Sequence, residues 1–276
     1  MDIKCMGTVY SGDPIPHKLC LQCAATEEAD CGYDLLTLMT LFERDTREGI
    51  HVTDLTGCMR KSYLQKTSPV AQYPSQMLMM KMGTLVHSML EHEGPDFTSE
   101  IPIEAEGIVG TADLFYIKTG KVVDFKTTRW LNPSNLPYGN HALQINIYSY
   151  LLKKMGYKVK SLWIQYIDLS GPTKCRACKV PVVPMVQTYS GSTSATALIC
   201  PHCSSAPRNA HLGAVMYEVP MENTRALGNV MRKRRDAMQN ALYTGATPEA
   251  EPSFLCKGYC PFLYQCPEGE MFAGHS

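Results

Sequence analysis

Residues 108–128 constrain the fold more than any other stretch. Ile108 to Ile117 and Lys121 to Thr128 are two runs rich in Val, Ile, Phe, Tyr and Thr, joined across Thr119-Gly120, and together they predict a β-hairpin. Side chains alternate along a strand, so Val123 and Phe125 point one way while Asp124 and Lys126 point the other. Asp113, towards the start of the facing strand, can approach Asp124 on that polar face. Two carboxylates and a lysine projecting from an otherwise apolar sheet suit a hard divalent cation such as Mg²⁺. The plain alternative is a solvated hairpin face carrying an incidental salt bridge.

A chain of 276 residues can bury a sizeable core as one large domain, or as one domain with appendages. Its 26 basic and 26 acidic residues cancel, so any phosphate-binding surface must be local. The N-terminal residues lack an uninterrupted apolar stretch of signal-peptide type, and no run approaches a membrane span. A cytoplasmic location is therefore expected. There, twelve cysteines in clusters bind metals more often than they form disulfides.

In chain order, Cys5, Cys20, Cys23 and Cys31 come first. The C-x2-C spacing of Cys20 and Cys23 favours a small structural Zn²⁺ site, with His17 as a substitute ligand and free thiols as the alternative. Leu35, Leu38, Met39 and Phe42 predict a packed helix over residues 34–48. A second helix is expected from Thr53 or Asp54, with Leu55, Met59 and Tyr63 inward and Cys58 near that face. Residues 76–93 predict a third, whose methionines fill core and whose His87 and Glu91 share a face. After the hairpin, Tyr138 to Met155 predicts a helix with Gln144 one turn before Tyr148, and Val159 to Leu169 a strand.

The composition changes at Gly171-Pro172. Cys175-Arg-Ala-Cys178 and Cys200-Pro-His-Cys203 are two knuckles separated by 21 residues, a zinc-ribbon spacing in which four thiolates close one tetrahedron. A strand resumes at Ala214 to Pro220, so the ribbon is expected as an insertion at the tip of a hairpin, an accessory module for nucleic acid or a protein partner. Met221 to Tyr243 predicts a long helix bearing Arg225, Arg232, Lys233, Arg234 and Arg235, either a solvated face or a phosphate contact. The tail carries Cys256, Cys260 and Cys266, a metal site one thiolate short, and Cys58 is the unassigned cysteine.

A single cysteine in TDLTGCMRKSYL, then GTLVHSMLE, GTADLFY, VVDFKTT and QINIY, then a three-cysteine tail, resembles the RecB-like iron–sulfur exonucleases of the PD-(D/E)XK superfamily. That group includes the AddB nuclease domain, the CRISPR-associated exonucleases of spacer acquisition and phage-encoded relatives. The resemblance covers residues 51–170 and 214–276, and it implies an α/β fold, a restriction-endonuclease-like core with a mixed central sheet flanked by helices. The expected organisation is an N-terminal extension over 1–50, core over 51–170, ribbon over 171–213 and core again over 214–276.

The same resemblance implies that His87, Asp113, Asp124 and the Phe125 carbonyl hold Mg²⁺ or Mn²⁺ and that Lys126 is the catalytic lysine. Gln144 and Tyr148 match its Q-x-x-x-Y motif, near the active site and DNA. It further implies that Cys58, Cys256, Cys260 and Cys266 hold a 4Fe-4S cluster, although the first tail spacing is C-x3-C where the family usually has C-x2-C. The function implied is a metal-dependent DNA exonuclease acting on single-stranded ends. The alternatives are a non-catalytic nucleic-acid-binding metalloprotein on the same scaffold, or a structure-specific endonuclease.

Overall fold

The computed structural model describes residues 2–6, 12–26, 31–43, 48–189, 192–253 and 255–274. The chain divides into two compact units, Met1–Met89 with Gly107–Val109 and Asn229–Ser276, and Leu90–Glu106 with Gly110–Gly228. No helix among the described residues is long and apolar enough to cross a membrane.

The first unit begins with β1 (Asp2–Lys4) paired antiparallel to β2 (Pro14–Pro16), followed by α1 (His17–Ala25) and α2 (Leu35–Phe42). Small apolar clusters hold these pieces: Ile15, Cys20 and Leu38 in one, Ile3, Leu41 and Met77 in another. The expected helix over 34–48 stops at Phe42, and residues 44–47 lie outside the described ones. Asp34 caps it by accepting from the Thr37 amide at 2.9 Å.

The single helix expected from Thr53 is two pieces, a 3-10 turn over Val52–Leu55 and α3 (Met59–Thr67). Cys58 is extended between them, at the N-terminal cap of α3 rather than on its inner face. Next, α4 (Pro74–Leu90) corrects another expectation, because Met80, Met82 and Met89 are exposed and only Pro74 and Met77 are buried. Its apolar residues run around the helix rather than along one stripe.

The second unit carries a five-stranded mixed sheet. In chain order its elements are β3 (Phe97–Ala105), β4 (Ile108–Tyr116), β5 (Lys121–Thr128), α5 (Gly139–Lys154) and β6 (Ser161–Asp168), then β7 (Val183–Tyr189), β8 (Ser192–Ile199) and β9 (Ala214–Val219). The sheet order is β3-β4-β5-β6-β9. The β4–β5 and β6–β9 pairs are antiparallel and β5–β6 is parallel, and a parallel pair needs the crossover that α5 supplies. β5 is buried on both faces, from Val122 through Phe125, as a central strand requires.

α5 is buried nearly all round from Gln144 to Leu152. Its buried Asn146 is satisfied by donating to the Pro220 carbonyl at 3.1 Å and accepting from the Glu222 amide at 2.8 Å, which pins the chain leaving β9. α6 (Thr224–Thr244) follows, its residues from Asn229 onward belonging to the first unit, and the chain ends with the single turn α7 (Cys256–Tyr259) and α8 (Pro267–Gly274).

β7 and β8 pair with each other, apart from the central sheet. The ribbon interrupts the β6–β9 hairpin, whose ladder runs from Leu162 opposite Val219 to Ile167 opposite Ala214. Asp168 and His211 close its base. The Asp168 carboxylate accepts from the Leu131 amide at 3.1 Å and the Ser170 amide at 2.8 Å, and meets His211 Nε2 at 3.4 Å.

The β4–β5 turn depends on Gly120, which adopts φ +69. A Cβ there would collide with the Lys158 carbonyl oxygen and lie 2.9 Å from Lys160 Cγ. The Gly120 carbonyl in turn accepts from the Lys160 amide at 2.7 Å. Gly120→Ala is therefore expected to destabilise the chain by about 1–3 kcal/mol, measured as a lower urea midpoint at unchanged slope. An unchanged midpoint would contradict this role.

Candidate active site

The antiparallel register of β4 and β5 pairs Leu114 with Val123, Phe115 with Val122 and Tyr116 with Lys121. Carried one residue further, it sets Asp113 against Asp124, and directly opposed residues share a face. The Asp113 carboxylate accepts from the Phe125 amide at 2.6 Å, so a side chain takes the place of a ladder carbonyl at the end of the pairing. Asp124 is 1% exposed and Asp113 8%. Lys126 Nζ lies 2.7 Å from Asp124 Oδ2.

Burying a carboxylate costs several kcal/mol unless compensating charge is close, roughly as for other buried ions. Here two buried carboxylates share the neighbourhood of one lysine. A third acid comes from β3, where a carboxylate oxygen of Glu100 lies within 4.8 Å of one from Asp113. Carboxylate oxygens of this kind fit a hard divalent cation.

β6 adds polar groups that the sequence reading did not single out. Tyr166 stands beside Lys126 in the parallel register. Its hydroxyl accepts from the Tyr138 amide at 3.2 Å and bonds His141 Nδ1 at 3.0 Å. Burial, reinforced by Lys126, pushes His141 down to about 4. Burial also pushes Tyr166 up to about 12, with Asp124 among the charges that add to it. The Lys126–Asp124 ion pair, the register that sets Tyr166 beside Lys126 and the Tyr166–His141 bond place these four residues in one neighbourhood. Further along α5, buried Gln144 donates to the Tyr148 hydroxyl at 3.3 Å.

The structure thus brings together Asp113, Asp124, Phe125 and Lys126 on the two strands, and Gln144 with Tyr148 on α5. His87 lies on α4, in the first unit. His141 was within reach of sequence reasoning, because it precedes Gln144 by three and Tyr148 by seven and so shares their helix face. Glu100 has no local signal.

Three cysteine sets take different forms. In the ribbon, the sulfurs of Cys175, Cys178, Cys200 and Cys203 all lie within 4.8 Å of one another, the spacing of a single-ion site. Knuckle amides point at them, Cys178 N to Cys175 at 3.4 Å and His202 N to Cys200 at 3.4 Å. The Cys178 amide and the Ser205 hydroxyl draw Cys175 down to about 6. In the first unit, burial raises Cys260, and the Cys256 and Cys58 thiols add to that rise. Cys266 accepts from Arg60 at 3.6 Å, two residues past Cys58.

At the N-terminus, burial pushes Cys20 up to about 11, helped by the Cys31, Cys5 and Cys23 thiols. His17 meets the Phe42 ring edge-on, with centroids 6.3 Å apart. The basic run on α6 is partly compensated. Arg234 forks onto Glu251 at 2.5 and 2.8 Å and Arg235 meets Asp236 at 2.6 Å.

Residues 92–267, well over half of the chain, match the PD-(D/E)XK nuclease superfamily, and the chain belongs to it. Membership points to a metal-dependent nuclease with a DNA substrate, and nucleases of this superfamily use divalent metals such as Mg²⁺ or Mn²⁺. Among solved structures the chain is similar to that of SSO0001, 18% identical over 91% of this chain and 95% of that one, with a TM-score of 0.45. So loose a likeness adds nothing to the family match. No curated protein matches the chain.

The low value of His141 sets a pH dependence. An unfolded histidine titrates at about 6.5, so between that value and about 4 the unfolded chain binds the proton and the folded one does not. The stability held by neutral His141 is present above pH ~6.5 and is lost as pH falls towards 4, on the order of 3 kcal/mol. Urea unfolding at pH 7 and pH 4 should show a smaller acid loss in His141→Gln than in wild type. Equal losses would refute the assignment.

Proposed function

We propose that this chain is a divalent-metal-dependent DNA exonuclease acting on single-stranded ends. One observation carries the reading: the apposition of buried Asp113 and Asp124 on adjacent strands, with Lys126 2.7 Å from Asp124. His87, Asp113, Asp124 and the Phe125 carbonyl would hold Mg²⁺ or Mn²⁺, as in the iron–sulfur exonucleases the motifs resemble. The ion supplies Lewis acidity towards the scissile phosphate and lowers the pKa of the attacking water.

The rest of the chemistry belongs to the chain. Lys126 orients the water and neutralises charge developing on the phosphate, the preorganised electrostatic contribution of a buried cation. Its ion pair with Asp124 fixes the ammonium before substrate arrives. Gln144 and Tyr148, already bonded to each other, position the DNA strand beside the site.

The remaining metals are structural in this reading. Cys58, Cys256, Cys260 and Cys266 hold a 4Fe-4S cluster that ties the α3 end of the first unit to its tail, where Met59 N also bonds Glu251 at 3.0 Å and Arg60 bonds Glu268. Cys175, Cys178, Cys200 and Cys203 would hold Zn²⁺ in the ribbon, and Cys5, Cys20, Cys23 and Cys31 are the candidate ligands of a second Zn²⁺. The ribbon serves substrate or protein-partner engagement. The motif resemblance favours work in recombination, repair, phage DNA processing or spacer acquisition.

End-labelled and closed circular single-stranded DNA, each with Mg²⁺ or Mn²⁺, test the proposal together. The linear substrate should be shortened from its ends and the circle left intact, with Asp124→Ala and Lys126→Ala each slowing digestion by about 10²–10⁴-fold. Wild type and Asp124→Ala equally inactive, both folded, would sink the catalytic reading. Cutting of the circle would replace it with an endonuclease.

A further inference from the structure

Trp130 follows the end of β5 and is 83% exposed, the most exposed large apolar side chain of the second unit among the described residues. Single exposed apolar residues are ordinary on a protein surface, but an indole left in solvent forgoes one of the largest burials a side chain can make. The segment that carries it is well held. The Thr128 hydroxyl accepts from the Trp130 amide and donates to the Trp130 carbonyl, both at 3.1 Å. On the other side Leu131 is buried, its amide donating to the Asp168 carboxylate at 3.1 Å. The bend is thus fastened to β5 and β6 while the ring between these anchors stands in solvent.

Its position relates the ring to the candidate site. Lys126 precedes Trp130 by four residues, so the two backbones are at most ~14 Å apart. Arg129, next to the ring, is also exposed. The loop runs on to Ser134, whose hydroxyl donates to the Asn209 side chain at 2.8 Å, beside exposed Arg208. Between 171 and 213 the chain has Lys174, Arg176, Lys179 and Arg208 and no acidic residue, although its charges cancel overall. An exposed aromatic face with positive charge around it suits a single-stranded nucleic acid, whose bases offer open π-faces and whose backbone is anionic. Tryptophan and arginine also serve protein interfaces, but a protein seated this close to Asp124 and Lys126 would stand where the DNA must come.

We propose that Trp130 is a base-stacking residue for single-stranded DNA, with Arg129 neutralising the phosphate next to the stacked base. The inference rests on the nuclease reading of Asp124 and Lys126 given above, and it puts the strand's approach at the end of β5. Every base has a π-face, so such a contact selects unpaired strands rather than a sequence.

Fluorescence anisotropy of end-labelled single-stranded and duplex oligonucleotides of one length, on the full chain with no divalent metal added, measures binding apart from digestion. Trp130→Ala should weaken single-strand binding by about 5–100-fold and Trp130→Phe should restore most of it. Duplex binding and the urea midpoint should stay at wild-type values in both. Arg129→Ala should lower the slope of log affinity against log salt by about 0.7. Indole emission should be quenched by single strands in wild type and in Trp163→Phe, and not in Trp130→Ala. If wild type and Trp130→Ala bind single strands equally, the inference is overturned and the nuclease reading stands. Equal weakening on single strands and duplex overturns it as well. If wild type binds duplex alone, the single-strand reading itself falls, and the inference with it.

Discussion

The structure depends on accommodating the Asp124 carboxyl group inside a strand buried on both faces. A carboxylate at 1% exposure is tolerated only where charge and dipoles are arranged around it, and the elements of the second unit supply them. β5 itself brings Lys126, two residues on and on the same face. β4 adds a second carboxylate, Asp113, which is met by the Phe125 amide. β6 brings Tyr166, whose hydroxyl is fixed by His141 and the Tyr138 amide. Removing the Lys126 ammonium would leave the fold carrying the Asp124 carboxylate with less to balance it.

This arrangement separates holding from reacting. The apolar residues of α5 and the alternating inward residues of β6 bury the area that stabilises the sheet. The polar face of β4 and β5 is a local concession, since a valine at Asp124 would pack with no desolvation cost. Strain and buried charge of this kind gather where function requires them.

Much of this was legible in the residues because the signals were local. The hairpin, α5, β6 and β9 follow from period-two and period-3.6 patterns, and their observed bounds lie within a few residues of expectation. The two ribbon knuckles specify their own closure, and the structure gathers those four sulfurs. β3 was not legible, because Ser99 interrupts its apolar face and Pro102 argues against a strand, although an edge strand tolerates a proline. The division of 52–67 into a turn and a helix escaped notice because its apolar spacing continues across the extended Cys58. The α4 methionines and the compensated arginines of α6 show the same limit, since composition cannot say which side chains find a partner.

The central claim is that Asp113 and Asp124 form a divalent-cation site in the folded chain. Anything that binds only the folded state stabilises it, by about 2.7 kcal/mol at a hundred times the dissociation constant. The most direct measurement is therefore the urea midpoint of the metal-free chain with and without saturating Mn²⁺. The account predicts a clear rise in wild type that Asp124→Asn abolishes. No rise in wild type, or an equal rise in the variant, would contradict it.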